Sequence, residues 1–105
     1  MADGFGEREK GFESKWAHDE DLRFKVMARR NKLVGLWAAG LLGLTGDEAE
    51  AYAGTVVMSD FQEIGDNDVF MKLKGDLAHT GTEDRDIRAK MDGFLSEAAD
   101  QVTKA

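Results

Sequence analysis

Few groups in this 105-residue chain have the type and spacing to do chemistry. Arg29 and Arg30 stand side by side, with Lys32 two residues on. Guanidinium forks match carboxylate and phosphate oxygens, so the run suits either of two tasks. One is an ion pair with a carboxylate of another segment. The other is an anion site for a phosphate such as a nucleotide's, with Lys32 or Trp37 beside it. Asp66, Asn67 and Asp68 point towards a cation, but a calcium loop alternates its ligands around a glycine and closes on a later glutamate. Here Val69 and Phe70 follow at once, so the run reads as the cap and first turn of a helix. The two histidines, His18 and His79, are too few for a metal cluster, and the chain has no cysteine. The glycine-bearing stretches GLWAAGLLG and GDNDVF lack the lysine of a phosphate loop and a preceding strand. Paired carboxylates read as a solvated acidic face. The expectation is a protein that is not an enzyme, with no catalytic and no metal-binding residues.

The net charge is −7, spread unevenly. Residues 1–20 carry −3, residues 21–35 carry +4 and residues 36–105 carry −8. That balance speaks against general nucleic-acid binding. One basic band in an acidic protein suits a single anionic partner. No uncharged apolar run is long enough to span a bilayer, and the N-terminus lacks a signal-peptide pattern. The expected location is therefore cytoplasmic, without membrane insertion.

The elements that must position these groups are helices. From Leu22 to Leu44 the apolar residues Leu22, Val26, Leu33, Trp37 and Leu44 recur on one stripe, while Lys25 and Lys32 point away. Arg29 and Arg30 flank this stripe, and Phe24 projects from the polar side. Asp19, Glu20 and Asp21 mark the helix start, and Gly43–Leu44 its end. Gly40 lies on the stripe and is expected to admit another helix closely. Thr45 and Glu48 have the spacing of a capping box for a second helix, Gly46 to Phe61. Asp66 caps a third that ends near His79, with Val69, Phe70, Leu73 and Leu77 inward. Thr82 caps a fourth that runs to Thr103, with Ile87, Met91, Phe94, Leu95, Ala98 and Val102 inward. No strand-like alternation competes. The fold class is all-α, a four-helix bundle over 20–105 after a mobile N-terminal arm over 1–19.

The arm is mostly charged, with Phe5, Phe12 and Trp16 at spacings of seven and four. A segment so poor in apolar groups hardly offsets its ordering entropy alone. It suits an amphipathic helix that folds in a partner's groove with the aromatics as anchors; the alternative is a frayed terminus whose aromatics lie back on the bundle.

The residues add a resemblance. The segment REKGFESKWAHDEDLRFKVMARRNKLVGLWAAGLLGLTGDEAEAYAGTVVMSDFQEIGDNDVFMKL resembles the zeta inhibitor subunit family of alphaproteobacterial F-type ATP synthases. Its specific pieces are Arg8–Glu9, KWAHD at Lys15–Asp19, ARRN at Ala28–Asn31, LWAA at Leu36–Ala39 and the Gly65–Phe70 run. The resemblance implies a four-helix bundle that blocks ATP hydrolysis by inserting its N-terminal segment into the catalytic head of alpha, beta and gamma subunits. It also implies a position at the cytoplasmic face of the inner membrane when bound. On this sequence the inserted segment maps to the arm, with Phe5, Phe12 and Trp16 as anchors and Glu7, Arg8, Glu9, Lys10 and Lys15 as rim charges. No cofactor is required, but the family is associated with ADP or ATP as a regulatory ligand; Arg29, Arg30 and Lys32 are assigned to it by charge alone. The alternative function is an ADP/ATP-binding regulatory bundle with little inhibitory action.

Overall fold

Asp19 is where the longest helix starts. The structure, a computed structural model, describes Trp16, residues 19–60 and residues 67–104. Helix α1 spans Glu20–Leu41. Asp19 holds an extended backbone (φ −106°, ψ 112°), and its carboxylate accepts the Leu22 N–H at 3.1 Å. Glu20 and Asp21 follow in the first turn, where the helix dipole favours negative charge. The expected start thus holds. The end falls earlier than Gly43–Leu44. Gly43 adopts φ +79°, which only glycine takes up without strain. Its N–H donates to the Gly40 carbonyl at 3.2 Å, and the Leu44 N–H donates to the Ala39 carbonyl at 2.9 Å. This Schellman closure satisfies the last carbonyls and turns Leu44 out of the helix.

Helix α2 spans Gly46–Ser59 and doubles back along α1. Thr45 occupies the cap position, but its hydroxyl makes no capping bond. The capping box is therefore not formed: Gly46 enters at φ +57°, a left-handed step that separates Thr45 from the regular helix. The Thr45 carbonyl still accepts the Glu48 N–H at 3.2 Å. The helix stops at Ser59, and Phe61, its expected last residue, lies outside the described residues.

Helix α3 spans Asn67–Asp76; its expected cap, Asp66, also lies outside the described residues. It ends three residues before His79, followed by turns through Gly81, at φ +84°. Helix α4 spans Asp84–Lys104. Thr82 does not cap it. The Thr82 hydroxyl lies 2.6 Å from that of Thr80, and Glu83 takes the cap position, its N–H donating to Asp86 Oδ2 at 3.0 Å. The acidic first turn does the work expected of the threonine.

Among the described residues there are four helices and no strand, so the all-α bundle stands. Helix α1 packs along both α2 and α4, and α3 closes against the same two. Because α1 is flanked on two sides, its buried face is wider than one apolar stripe. Val26, Arg30, Asn31, Val34, Gly35, Ala38 and Ala39 are buried, whereas Leu22, Leu33 and Trp37 are only partly so. The close approach falls at Gly35, not Gly40. A Cβ on Gly35 would sit 2.8 Å from Ala53 Cα, whereas one on Gly40 would meet nothing within 4 Å. Helix α2 packs on the flank where α1 carries its small residues; Gly40 is past that crossing and exposed.

The interior forms two clusters. The larger joins Val34 and Ala38 of α1 to Val56, Val69, Phe70, Leu73, Leu77, Ile87 and Met91. The smaller joins Trp16, Val26, Ala98 and Ala99. Burial of these apolar groups, at about 25 cal/mol per Å², supplies the main drive for folding.

Candidate functional site

The ARRN run is split by the helix. Successive residues turn by about 100°, so neighbours in sequence face different ways. Arg30 turns inward and is 1% exposed; its Nε donates to Asn31 Oδ1 at 2.7 Å. A buried guanidinium is tolerated only when it is bonded, and the adjacent amide supplies one acceptor. Arg29 and Lys32 turn outward, and Lys32 Nζ reaches Glu50 Oε1 of α2 at 3.2 Å. The structure thus brings Arg29 and Lys32 to one surface and sends Arg30 to the interior. Trp37 is partly buried against the larger core, with Lys90 Nζ 5.9 Å from its ring centre.

The outward side of α1 is cationic. Lys25, Arg29 and Lys32 follow at i, i+4 and i+7, Phe24 lies one step aside at 55% exposure, and Arg23 is exposed on the flank. No acidic residue occurs between Leu22 and Leu41.

Trp16 marks the root of the arm. The Asp19 N–H donates to the Trp16 carbonyl at 3.2 Å. The indole is 6% exposed and packs with Val26 of α1 and Ala98 and Ala99 of α4, edged by Leu22, Met27, Leu33, Leu95 and Val102. Its N–H has no hydrogen-bond partner among the described residues, and neither has Asn31 Nδ2. Phe5, Glu7, Arg8, Glu9, Lys10, Phe12 and Lys15, the other arm residues singled out by the sequence, lie outside the described residues.

One polar cluster joins α2 to α3. The Tyr52 hydroxyl donates to Asp76 Oδ2 at 2.7 Å, and Lys72 Nζ donates to the same oxygen at 2.9 Å while lying 5.1 Å from the Tyr52 ring centre. Burial, the hydrogen bond to Asp76 and the Asp76 charge hold the Tyr52 proton well beyond the ordinary tyrosine range. Burial pushes the Asp76 carboxyl up, but hydrogen bonds from Tyr52 and Lys72 and the Lys72 charge outweigh it, leaving a lowered pKa. A phenol held this firmly is a poor base or nucleophile, so the cluster is a fastening between helices. Beside it an open groove is lined by Ala51, Gly54, Thr55, Met58, Asp68 and Lys72. Among the described residues no three His, Cys, Asp or Glu side chains gather as a metal ion would need.

The comparison that decides the family spans both the arm and the helices. A family model described as ATPase inhibitor subunit zeta matches residues 1–101. The chain belongs to this family. The zeta-family chain is also similar to a protein whose solution NMR structure has been solved, at 47% sequence identity and a TM-score of 0.73, covering 79% of this chain and 96% of that one. No curated protein sequence matches it.

Sequence reasoning missed two features of this zeta-family bundle. Asn31 was not singled out, although its position beside Arg30 is the signal for a buried polar pair. Gly35 was passed over for Gly40, although Ala28, Asn31, Gly35, Ala38 and Ala39 recur at the three- and four-residue spacing of a small-residue face. Among the described residues no helix is long and apolar enough to cross a membrane.

Proposed function

We propose that this zeta-family chain is a regulatory inhibitor subunit of the F-type ATP synthase, and that it blocks ATP hydrolysis by inserting its N-terminal arm into the catalytic head. The observation that carries the reading is the family match, which runs from residue 1 through the arm and the bundle to residue 101. The arm's composition supports it. Sparse aromatics among alternating charges fold only when a partner covers them; Phe5 and Phe12, seven residues apart, are spaced to share one helix face, while Trp16, packed in the smaller cluster of the bundle, holds the root of the arm. Glu7, Arg8, Glu9, Lys10 and Lys15 then lie at the rim. The bundle is the carrier that delivers the arm to alpha, beta and gamma subunits at the cytoplasmic face of the inner membrane.

The block is a wedge. Rotary catalysis needs each catalytic interface to open and close in turn. A helix held at one interface stabilises one state and raises the cost of leaving it. Coupled folding consumes about 2–5 kcal/mol of the contact energy, so affinity rises with anything that favours helix in the arm.

The test is ATP hydrolysis by the isolated catalytic head, titrated with the full chain and with a chain beginning at Lys15. That truncation keeps Trp16 in its cluster and Asp19 at its cap. Inhibition by the full chain and none by the truncated one is expected. Equal inhibition by both, or inhibition by neither, refutes the wedge. Calorimetry with ATP on both chains separates it from a nucleotide-binding regulator, which needs no arm.

A further inference from the structure

The cations of this protein are not treated alike. Among the described residues Lys72, Lys74, Arg85 and Lys104 each pair with a carboxylate, and so does Lys32. Arg88 lies over the Phe70 ring at 3.8 Å, and Lys90 lies about equally near the Trp37 and Phe94 rings, at 5.9 and 6.0 Å. Arg30 is buried and bonded. Arg23, Lys25 and Arg29 have neither an ion pair nor a ring contact among the described residues, and all three sit on two turns of α1. In a chain with 21 acidic and 14 basic residues, carboxylates are in excess, so cations left unpaired together are not short of available partners. Asp21 lies one turn before Lys25 and does not pair with it.

Phe24 adds apolar surface at the same place, 55% exposed between these cations. Arginine and aromatic residues together are the composition of protein-binding surfaces, where a ring supplies contact area and cations supply steering. The position is also telling. Lys25 and Arg29 are six and ten residues past Asp19, at about 1.5 Å of rise each, so both lie within about 15 Å of the arm's root. Whatever receives the arm meets this surface next.

We infer that the outward side of α1 carrying Phe24, Lys25 and Arg29, with Arg23 on its flank, is a docking surface for a carboxylate-rich patch on the protein that receives the arm. That this protein is the catalytic head rests on the function proposed above. The surface raises the encounter rate and holds the bundle in register while the arm inserts.

The test is binding of the full chain to the isolated catalytic head, with hydrolysis followed in parallel. The variants are K25E/R29E, F24A and K74E/R85E, the last changing net charge equally at ion pairs elsewhere. K25E/R29E is expected to weaken binding by at least about tenfold at low salt, with a smaller loss on raising the salt than wild type shows. Inhibition at saturation stays complete. F24A weakens binding without changing the salt dependence, and K74E/R85E stays within about twofold of wild type. The inference is overturned if K25E/R29E and K74E/R85E bind alike, or if the wild-type chain does not bind the head. It is also overturned if K25E/R29E loses calorimetric ATP binding while head binding is unchanged, since the cations then serve a phosphate. A wild type that binds through this surface yet leaves hydrolysis running refutes the wedge and not the docking surface.

Discussion

Replacing Gly35 with alanine places one methyl group where α1 and α2 touch. In the interior of a helix the change from glycine favours the helix by about 1 kcal/mol. At Gly35 the new carbon would lie 2.8 Å from Ala53 Cα, 3.1 Å from Ala53 Cβ and 3.2 Å from Val56 Cγ2. Only Val56 Cγ2 can yield by a side-chain rotation; Ala53 Cα is backbone, and Ala53 Cβ is fixed to it. The helices must move apart by roughly half an ångström or more, which forfeits about a quarter to a half of the dispersion energy along the contact. Overpacking of this kind costs about 1–3 kcal/mol, and a rigid backbone neighbour places this site at the upper end. The expected net result is a loss of about 1–2 kcal/mol after the helical gain. Gly54, in the middle of α2, is the control, since a Cβ there meets nothing within 4 Å. Gly54→Ala keeps the helical gain without the clash, so the two variants should differ by about 2–3 kcal/mol in opposite directions. Urea unfolding followed by helical circular dichroism measures both. A Gly35→Ala protein as stable as Gly54→Ala would refute the close approach and with it the seating of α1 on α2.

Three further outcomes are expected. Trp16→Ala should lower stability by about 3 kcal/mol, the low end for a buried aromatic, read from the urea midpoint; a loss under about 1 kcal/mol would mean the indole is not packed. Asp19→Ala removes the side-chain cap of α1 and should cost about 1 kcal/mol, whereas Asp19→Asn should cost far less because the amide oxygen still accepts the Leu22 N–H. Tyr52 is the one tyrosine, so its ionisation is directly visible in ultraviolet absorbance. Its raised pKa means that stability is full below about pH 10 and falls as pH rises beyond it, because the unfolded chain gives up the proton first. The lowered Asp76 pKa has the opposite sense: its contribution is present above about pH 4 and lost as pH falls through the folded value, and it is small because the carboxylate is partly exposed. Phenolate absorbance near pH 10 in a protein that is still folded would refute the Tyr52–Asp76 bond.

Helix number and inward faces were legible because they depend on periodicity, which Val69, Phe70 and Leu73 display on α3 and Ile87, Met91 and Ala98 on α4. Asp19 was legible because a carboxylate before an apolar run has few other uses. Thr45 and Thr82 were misread because capping needs a backbone angle as well as a hydroxyl; Gly46 at φ +57° breaks the first, and a competing bond to Thr80 takes the second. The inward turn of Arg30 was hidden because charge is a stronger sequence signal than helical phase. Gly35 and Gly40 could be told apart only by knowing where α2 crosses. Among the described residues, the unpaired state of Arg23, Lys25 and Arg29 emerges only when each of the other described cations has been assigned its neighbour.

The arm is rooted in the smaller of the two interior clusters. Val26, Ala98 and Ala99 close around Trp16 using only the first half of α1 and the last half of α4, while α2 and α3 belong to the other cluster. A pull on the arm is therefore resisted first by a handful of side chains and not by the whole domain. Amide hydrogens in the last turns of α4 should exchange through openings that leave α2 and α3 protected. The end of the molecule that holds the arm can loosen and close again while the rest keeps its shape, so the bundle yields locally at its tether instead of unfolding.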